Sequence, residues 1–110
     1  MILFGLKTCD TCRKASKEIE AAGIGVTFRD VRADPLDDAM LNRFLAAFGG
    51  DLINTRSTTW RSLTDDQRNR PPVDLLRDHP ALMKRPVIVD GDTLTIGWNA
   101  ETRKRVLGET

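Results

Sequence analysis

Short apolar runs and longer helical stripes alternate along the chain. Ile2-Leu3-Phe4 is an apolar run ended by Gly5, which predicts a buried strand. From Asp10 to Ala22 the residues favour helix: Ala15, Ile19 and Ala22 share one face, Lys14, Lys17, Glu18 and Glu20 occupy the others, and Gly23 stops it. Val26, Phe28 and Val31, with polar residues between them, predict a second strand, and Asp34-Pro35 is a turn that can also start a helix. Asp37 to Phe48 carries Met40, Leu41, Phe44, Leu45 and Phe48 at helical intervals before Gly49-Gly50, and predicts a helix. Over residues 51–84 several short helices fit best. Thr55, Ser57, Thr58 and Thr59 offer caps ahead of Trp60 to Leu63, and Pro71-Pro72 opens a further helix through Arg77. Val87-Ile88-Val89, the turn Asp90-Gly91-Asp92 and Leu94-Thr95-Ile96 predict a hairpin, after which Asn99 caps a last helix to about Leu107, ended by Gly108.

The order is β-α-β, a helical stretch, then β-β-α. A parallel βαβ unit followed by an antiparallel hairpin and a covering helix assembles a mixed four-stranded sheet of the thioredoxin-like kind, an α/β fold. The expectation is one domain over residues 1–110, with a helical insertion at about 36–84. Gly23-Ile24-Gly25 follows a helix and lacks a third glycine, so it is not a dinucleotide loop.

Composition narrows the function more than the fold. Hydrophobic residues at 40% and charged residues at 30% are ordinary for a globular chain. A formal net charge of +1 gives no general reason to bind nucleic acid or an anionic membrane. The triplet Arg103-Lys104-Arg105 reads as a solvated helix face. No apolar run approaches the roughly 20 residues that span a bilayer, and the start Met1-Ile2-Leu3-Phe4 has no basic leader, so the expected compartment is the cytoplasm. Thiols are kept reduced there, which favours catalytic or metal-binding cysteines over a structural staple.

The candidate chemistry lies in Thr8-Cys9-Asp10-Thr11-Cys12-Arg13. A thiol attacks only as its anion, and a helix N-terminus favours that anion through unpaired N–H groups and the helix dipole. Lys7, Arg13 and Lys14 add positive charge nearby, whereas Asp10 opposes it. Cys9 and Cys12 are three residues apart across the first turn, near enough for a disulfide, with Cys9 expected to be exposed and Cys12 sheltered. The implied cycle is attack by Cys9, then release by Cys12 or by an external thiol such as glutathione. A buried pair without chemistry is the plainer alternative. A structural zinc site needs four ligands, and Cys9, Cys12 and His79 do not supply them, so no metal is expected. His79, just before Pro80, reads as the close of a short helix, and Trp60 and Trp98 read as packing residues.

Three ordered blocks carry a family resemblance: Gly5-Leu6-Lys7-Thr8-Cys9-Asp10-Thr11-Cys12-Arg13-Lys14-Ala15, Asn54-Thr55-Arg56-Ser57-Thr58-Thr59-Trp60-Arg61, and His79-Pro80-Ala81-Leu82-Met83-Lys84-Arg85-Pro86. Together they resemble the arsenate reductase (ArsC) family nearly end to end, and within it the small Spx/YffB-like branch. The resemblance implies a thioredoxin-like fold, carries the catalytic cysteine onto Cys9, and makes Cys12 a second, branch-variable thiol. It places Arg56 and Arg85 at positions that bind the oxyanion in arsenate reductases, with Arg13 beside the motif as a further anion contact, and it matches Pro86 to a proline that is cis in thioredoxin-like folds. One departure stands out. A further arginine follows the hairpin in arsenate reductases, and the stretch here is Ile96-Gly97-Trp98-Asn99, with Arg103 as a substitute from the last helix.

The leading expectation is a thiol–disulfide oxidoreductase that uses glutathione as co-substrate, with no tightly bound cofactor. Cys9 attacks, Arg56 and Arg85 hold an anionic group, and Cys12 resolves through a Cys9–Cys12 disulfide. The alternatives are an arsenate reductase coupled to glutathione and glutaredoxin, and an Spx-like redox-sensing regulator that binds RNA polymerase.

Overall fold

The computed structural model describes residues 1–108. Two compact units emerge, one made of residues 1–31 with the segment from Arg85 onward, the other of Arg32–Lys84.

In the first unit β1 (Ile2–Gly5) leads into α1 (Asp10–Ala21), and β2 (Thr27–Asp30) returns parallel to β1. The hairpin β3 (Val87–Asp90) and β4 (Thr93–Ile96) adds antiparallel strands on the other side, giving a four-stranded sheet of order β2-β1-β3-β4. Gly91, with φ +60°, takes the left-handed position at the start of the tight hairpin turn, which a side chain would strain. Gly97 donates its N–H to the Pro86 carbonyl at 2.9 Å, and the Arg85–Pro86 bond is cis, as the resemblance implied. The strand order and directions are those of a thioredoxin-like α/β sheet.

One face of the sheet carries the helices because its side chains are apolar where the pleat points that way. Leu3, Phe28, Ile88 and Thr95 share one register row. Leu3 and Ile88 join Cys12, Ala15 and Ile19 of α1 in a buried cluster. Phe28, Trp98, Val106 and Leu107 pack around it, the last two from α6 (Ala100–Leu107). Burying a Leu or Ile side chain contributes about 1.5–3 kcal/mol, so this cluster fixes α1 on the sheet. The buried face of α1 is thus Cys12-Ala15-Ile19, and Ala22, expected there, is an exposed C-cap beyond the last helical residue. Asn99 accepts the Thr102 N–H at 2.8 Å as the N-cap of α6, and Gly108 closes that helix in the left-handed conformation.

The second unit is helical. Its elements are α2 (Asp38–Phe48), α3 (Thr58–Ser62), α4 (Asp65–Arg68) and α5 (Pro72–Asp78), with single 3-10 turns at Gly49–Leu52 and Pro80–Leu82. Leu41, Phe44, Leu52, Leu75, Leu76, Leu82 and Met83 are buried in it. Arg77 forks onto Asp38 with bonds of 3.0 and 2.8 Å, tying α5 to α2 and holding the Asp38 carboxyl below its usual range. Ser57 caps α3, which begins two residues before the expected Trp60. Hydrophobic periodicity gives no sign of α4, although Thr64 and Gln67 form a reciprocal capping box at its start.

Among the described residues no helix is long and apolar enough to cross a membrane.

Candidate active site

The Cys9 thiol sits where a strand hands over to a helix. Cys9 is the N-cap of α1, its backbone extended (φ −86°, ψ 118°). Its N–H donates to the Leu6 carbonyl at 3.0 Å and its carbonyl accepts the Arg13 N–H at 3.1 Å, so the backbone is pinned from both sides. Cys12 lies in the first turn of the helix, on the buried face, with no exposed surface, while Cys9 is only half-buried. Both are free thiols. This is the exposure order the sequence implied, and its cause is the periodicity of α1: Cys12 falls on the same stripe as Ala15 and Ile19, and Cys9 does not.

The two thiols are driven in opposite directions. Burial pushes Cys9 up, but the Cys12 backbone N–H, the Cys12 thiol and the Arg85 guanidinium outweigh it and hold Cys9 below its ordinary value. The cap is loose, because the Cys9 side chain makes no strict capping hydrogen bond, and the Cys12 N–H acts on a large, polarizable sulfur. Cys12 is pushed up to about 12, first by burial and then by the neighbouring Cys9 sulfur, against the opposing pull of the Leu6 N–H. At neutral pH Cys12 is a protonated donor and Cys9 is the thiol nearer to ionisation.

Of the cations named from the sequence, Arg85 is the one that acts on Cys9. Arg85, at the turn into β3, contributes both a hydrogen bond and its charge. Lys7 and Lys14 are exposed, and Arg13 turns its guanidinium to the Asp10 carboxylate, so Asp10 neutralises a cation instead of opposing the thiolate directly. The structure therefore brings Cys9, Cys12, Arg13, Arg85 and Pro86 into the first unit, with Pro86 buried next to Arg85. Arg56 belongs to the second unit, exposed, its N–H donating to Asn54 Oδ1 at 3.0 Å just ahead of the Ser57 cap.

Arg103, the substitute named from the last helix, has one guanidinium nitrogen engaged by α1. Its Nε donates to Glu18 Oε2 at 3.1 Å, and the Trp98 indole N–H donates to the same oxygen at 2.6 Å. The Trp98 hydrogen bond first, and Arg103 with it, hold the Glu18 carboxyl below the usual carboxylate range. Trp98, which stands in the stretch where a third arginine was sought, thus fastens the loop after β4 to α1.

Gly5 is a site residue whose place in the sequence marks only the end of a strand. A Cβ at this position would stand 2.5 Å from the Cys12 sulfur and 3.1 Å from its Cβ. The one signal in the sequence is a glycine closing an apolar strand four residues before Cys9, where a close approach is a standard reason for glycine. His79 ends α5 as expected, and no grouping of three or more His, Cys, Asp or Glu side chains able to hold a metal occurs among the described residues.

The chain is similar to known proteins over nearly its whole length. The global transcriptional regulator Spx 1 of Bacillus cereus is 32% identical over 114 residues, covering 98% of this chain and 87% of its own. The solved structure of a YffB protein superposes with a TM-score of 0.85 at 26% identity, over 96% of this chain and 97% of that one. An arsenate reductase (ArsC) related protein from Brucella melitensis matches with a TM-score of 0.75 at 33% identity, over 94% and 91%. The family model of the ArsC family matches residues 4–106, a span that holds both thiols, Arg85 and most of the covering helix, and on that match the chain belongs to the ArsC family.

Proposed function

We propose that the protein is a thiol–disulfide oxidoreductase in which Cys9 is the nucleophile and glutathione is the reducing co-substrate. The observation that carries this reading is the opposed state of the two thiols: Cys9 held below its ordinary value by Cys12 and Arg85, and Cys12 buried and pushed up to about 12. The Cys9 thiolate attacks one sulfur of a disulfide, forming a mixed disulfide and expelling the other sulfur as a thiolate. A glutathione thiolate then attacks the substrate-derived sulfur of that mixed disulfide, expelling Cys9 as a thiolate and forming a disulfide between glutathione and the bound thiol. Cys12 can resolve the intermediate only after losing a proton it holds tightly, so at neutral pH the external thiol carries the second exchange. Arg85 stabilises Cys9 as an anion and, as a fork-shaped donor, suits an anionic group on the substrate.

The test is reduction of the mixed disulfide of glutathione and 2-mercaptoethanol by the purified chain with glutathione present. Replacing Cys9 by serine abolishes turnover under this reading, and unchanged turnover overturns it.

A regulatory reading is favoured by one observation, the 32% identity to a protein named a global transcriptional regulator over nearly the whole chain. In that reading the Cys9–Cys12 pair acts as a redox switch on binding to RNA polymerase. Capture of the polymerase alpha subunit by the oxidised but not the reduced protein would favour it.

A further inference from the structure

A groove of about 240 Å³ lies beside the start of α1, lined by Lys7, Arg13, Ser16, Lys17 and Phe28. Its charged lining is wholly cationic. Arg13 is paired with Asp10, and the Lys7 backbone is fixed by its N–H to Asp30 Oδ2 at 2.9 Å, so the groove's attraction for an anion rests on the Lys7 and Lys17 ammonium groups. Phe28 supplies an apolar floor, held in place because it packs on the same buried cluster as Cys9.

The groove is aligned with the nucleophile by helix geometry. Cys9, Arg13 and Lys17 are spaced i, i+4, i+8, so they stand on one face of α1 at successive turns. With a rise of 1.5 Å per residue, Arg13 lies about 6 Å and Lys17 about 12 Å along the axis from Cys9. A molecule whose sulfur meets Cys9 and whose body runs along this face brings groups about two residues' length away onto Arg13 and groups about three to four residues' length away towards Lys17.

We propose that this groove is the anchoring subsite for the carboxylate end of a small acidic peptide thiol or disulfide, with Lys7 and Lys17 as its specificity residues and Phe28 as the surface on which the peptide lies. The inference rests on the reading of Cys9 as a nucleophile for disulfides, and it adds which disulfides are preferred. It calls on no new chemical step: the exchange is the one already balanced above, and the groove changes only which partner arrives in register. Lys7 and Lys17 are positioning groups, since their charge acts on a part of the substrate remote from the sulfur.

Two measurements on the full chain separate this inference from the reading beneath it. In the first, S-methylglutathione, which cannot exchange, is titrated into protein observed by backbone amide shifts, beside its diamide, which lacks both carboxylates. The expected result is shifts at Lys7, Arg13, Ser16, Lys17 and Phe28 that need the carboxylates, and an affinity about fivefold weaker in a Lys7→Ala/Lys17→Ala variant, the size expected for two exposed charge contacts. Shifts that ignore the carboxylates, no binding at all, or an affinity unmoved by the double substitution overturn it. In the second, reduced protein reacts with glutathione disulfide, 2-hydroxyethyl disulfide and cystamine, which are anionic, neutral and cationic. The ratio of anionic to neutral rate falls about fivefold on Lys17→Glu, while the ratio of cationic to neutral rate rises. Ratios equal in wild type and variant also overturn it. Silence of Cys9 towards every disulfide, with carboxylate-dependent binding intact, supports the groove and removes the oxidoreductase reading instead.

Discussion

The mouth of α1, where Cys9 stands, and the floor of its first turn, where Cys12 stands, are three residues apart and built on different principles. At the mouth the chain leaves a strand, the helix N–H groups are still uncommitted, and a guanidinium from the turn into β3 reaches the sulfur. On the floor, Leu3, Ala15, Ile19 and Ile88 surround a thiol with no exposed surface. The same side chain is thereby favoured as an anion at one position and held as a protonated donor at the other. Charge and helix polarity decide the first; desolvation decides the second. The floor also serves the mouth, because the protonated Cys12 thiol and its N–H are among the groups that favour the Cys9 anion.

Crowding the floor is the largest way to break this contrast. Gly5→Ala drives a methyl group to 2.5 Å from the Cys12 sulfur, between backbone and buried core, where neither side gives way cheaply. Overpacking of this kind costs about 1–3 kcal/mol, measured as a lower midpoint in urea unfolding, and the variant loses the hydrogen bond from Cys12 to Cys9 as the floor shifts. A neutral result would show that the turn tolerates a second orientation of Cys12.

Removing the cation from the mouth is next in size. Arg85→Ala raises the Cys9 pKa towards its ordinary value and slows alkylation of Cys9 at pH 7 by about tenfold, the scale of one charge-assisted hydrogen bond trimmed by solvent screening at a half-exposed sulfur. Arg85→Lys restores part of the rate, since it keeps charge but not the fork. Cys12 stays unreactive in both variants, because burial sets its state and the Arg85 charge only opposes that burial weakly.

The effect that is smallest at neutral pH grows only in alkali. Cys12 has a folded pKa raised to about 12, so folding holds a proton that the unfolded chain releases near the ordinary thiol value of about 8.5. The stabilisation from keeping Cys12 protonated is therefore complete below about pH 8.5 and is lost as pH rises towards 12, at up to about 1.4 kcal/mol per pH unit. Cys9 has the opposite sign: its lowered value contributes stability that is present above the unfolded pKa and is lost as pH falls through the folded one, so it adds no slope in this alkaline window. Cys12→Ala costs about 1 kcal/mol at neutral pH and flattens the alkaline limb of a stability–pH profile.

Much of this contrast is legible in the amino-acid sequence, wherever the signals are local. The Cys-x-x-Cys spacing ahead of a helix, the periodicity of Ala15 and Ile19, the Asn99 cap and the hairpin around Gly91 each depend on residues within a turn or two, and each appears where the sequence places it. What depends on distant pairings is illegible from pattern alone. Arg85 lies 76 residues from Cys9 and is singled out only through the family resemblance, while Lys7, Arg13 and Lys14, close in sequence, take the credit for its charge. The commitment of Arg103 to Glu18 spans 85 residues, and the role of Gly5 needs the position of one sulfur atom. The miss at α4 has another cause. Its capping box is spelled out by Thr64 and Gln67, but a four-residue helix carries no apolar stripe to go with the cap.

The most direct measurement of the central claim is the pH dependence of iodoacetamide alkylation at each cysteine of the full chain, followed by mass spectrometry of separate peptides. Cys9 alkylates with a midpoint below the ordinary thiol value, and Cys12 in the native protein stays unmodified through about pH 10. Equal, ordinary midpoints at both cysteines, or a Cys12 that reacts before Cys9, would contradict the assignment of one thiol as nucleophile and the other as its buried donor.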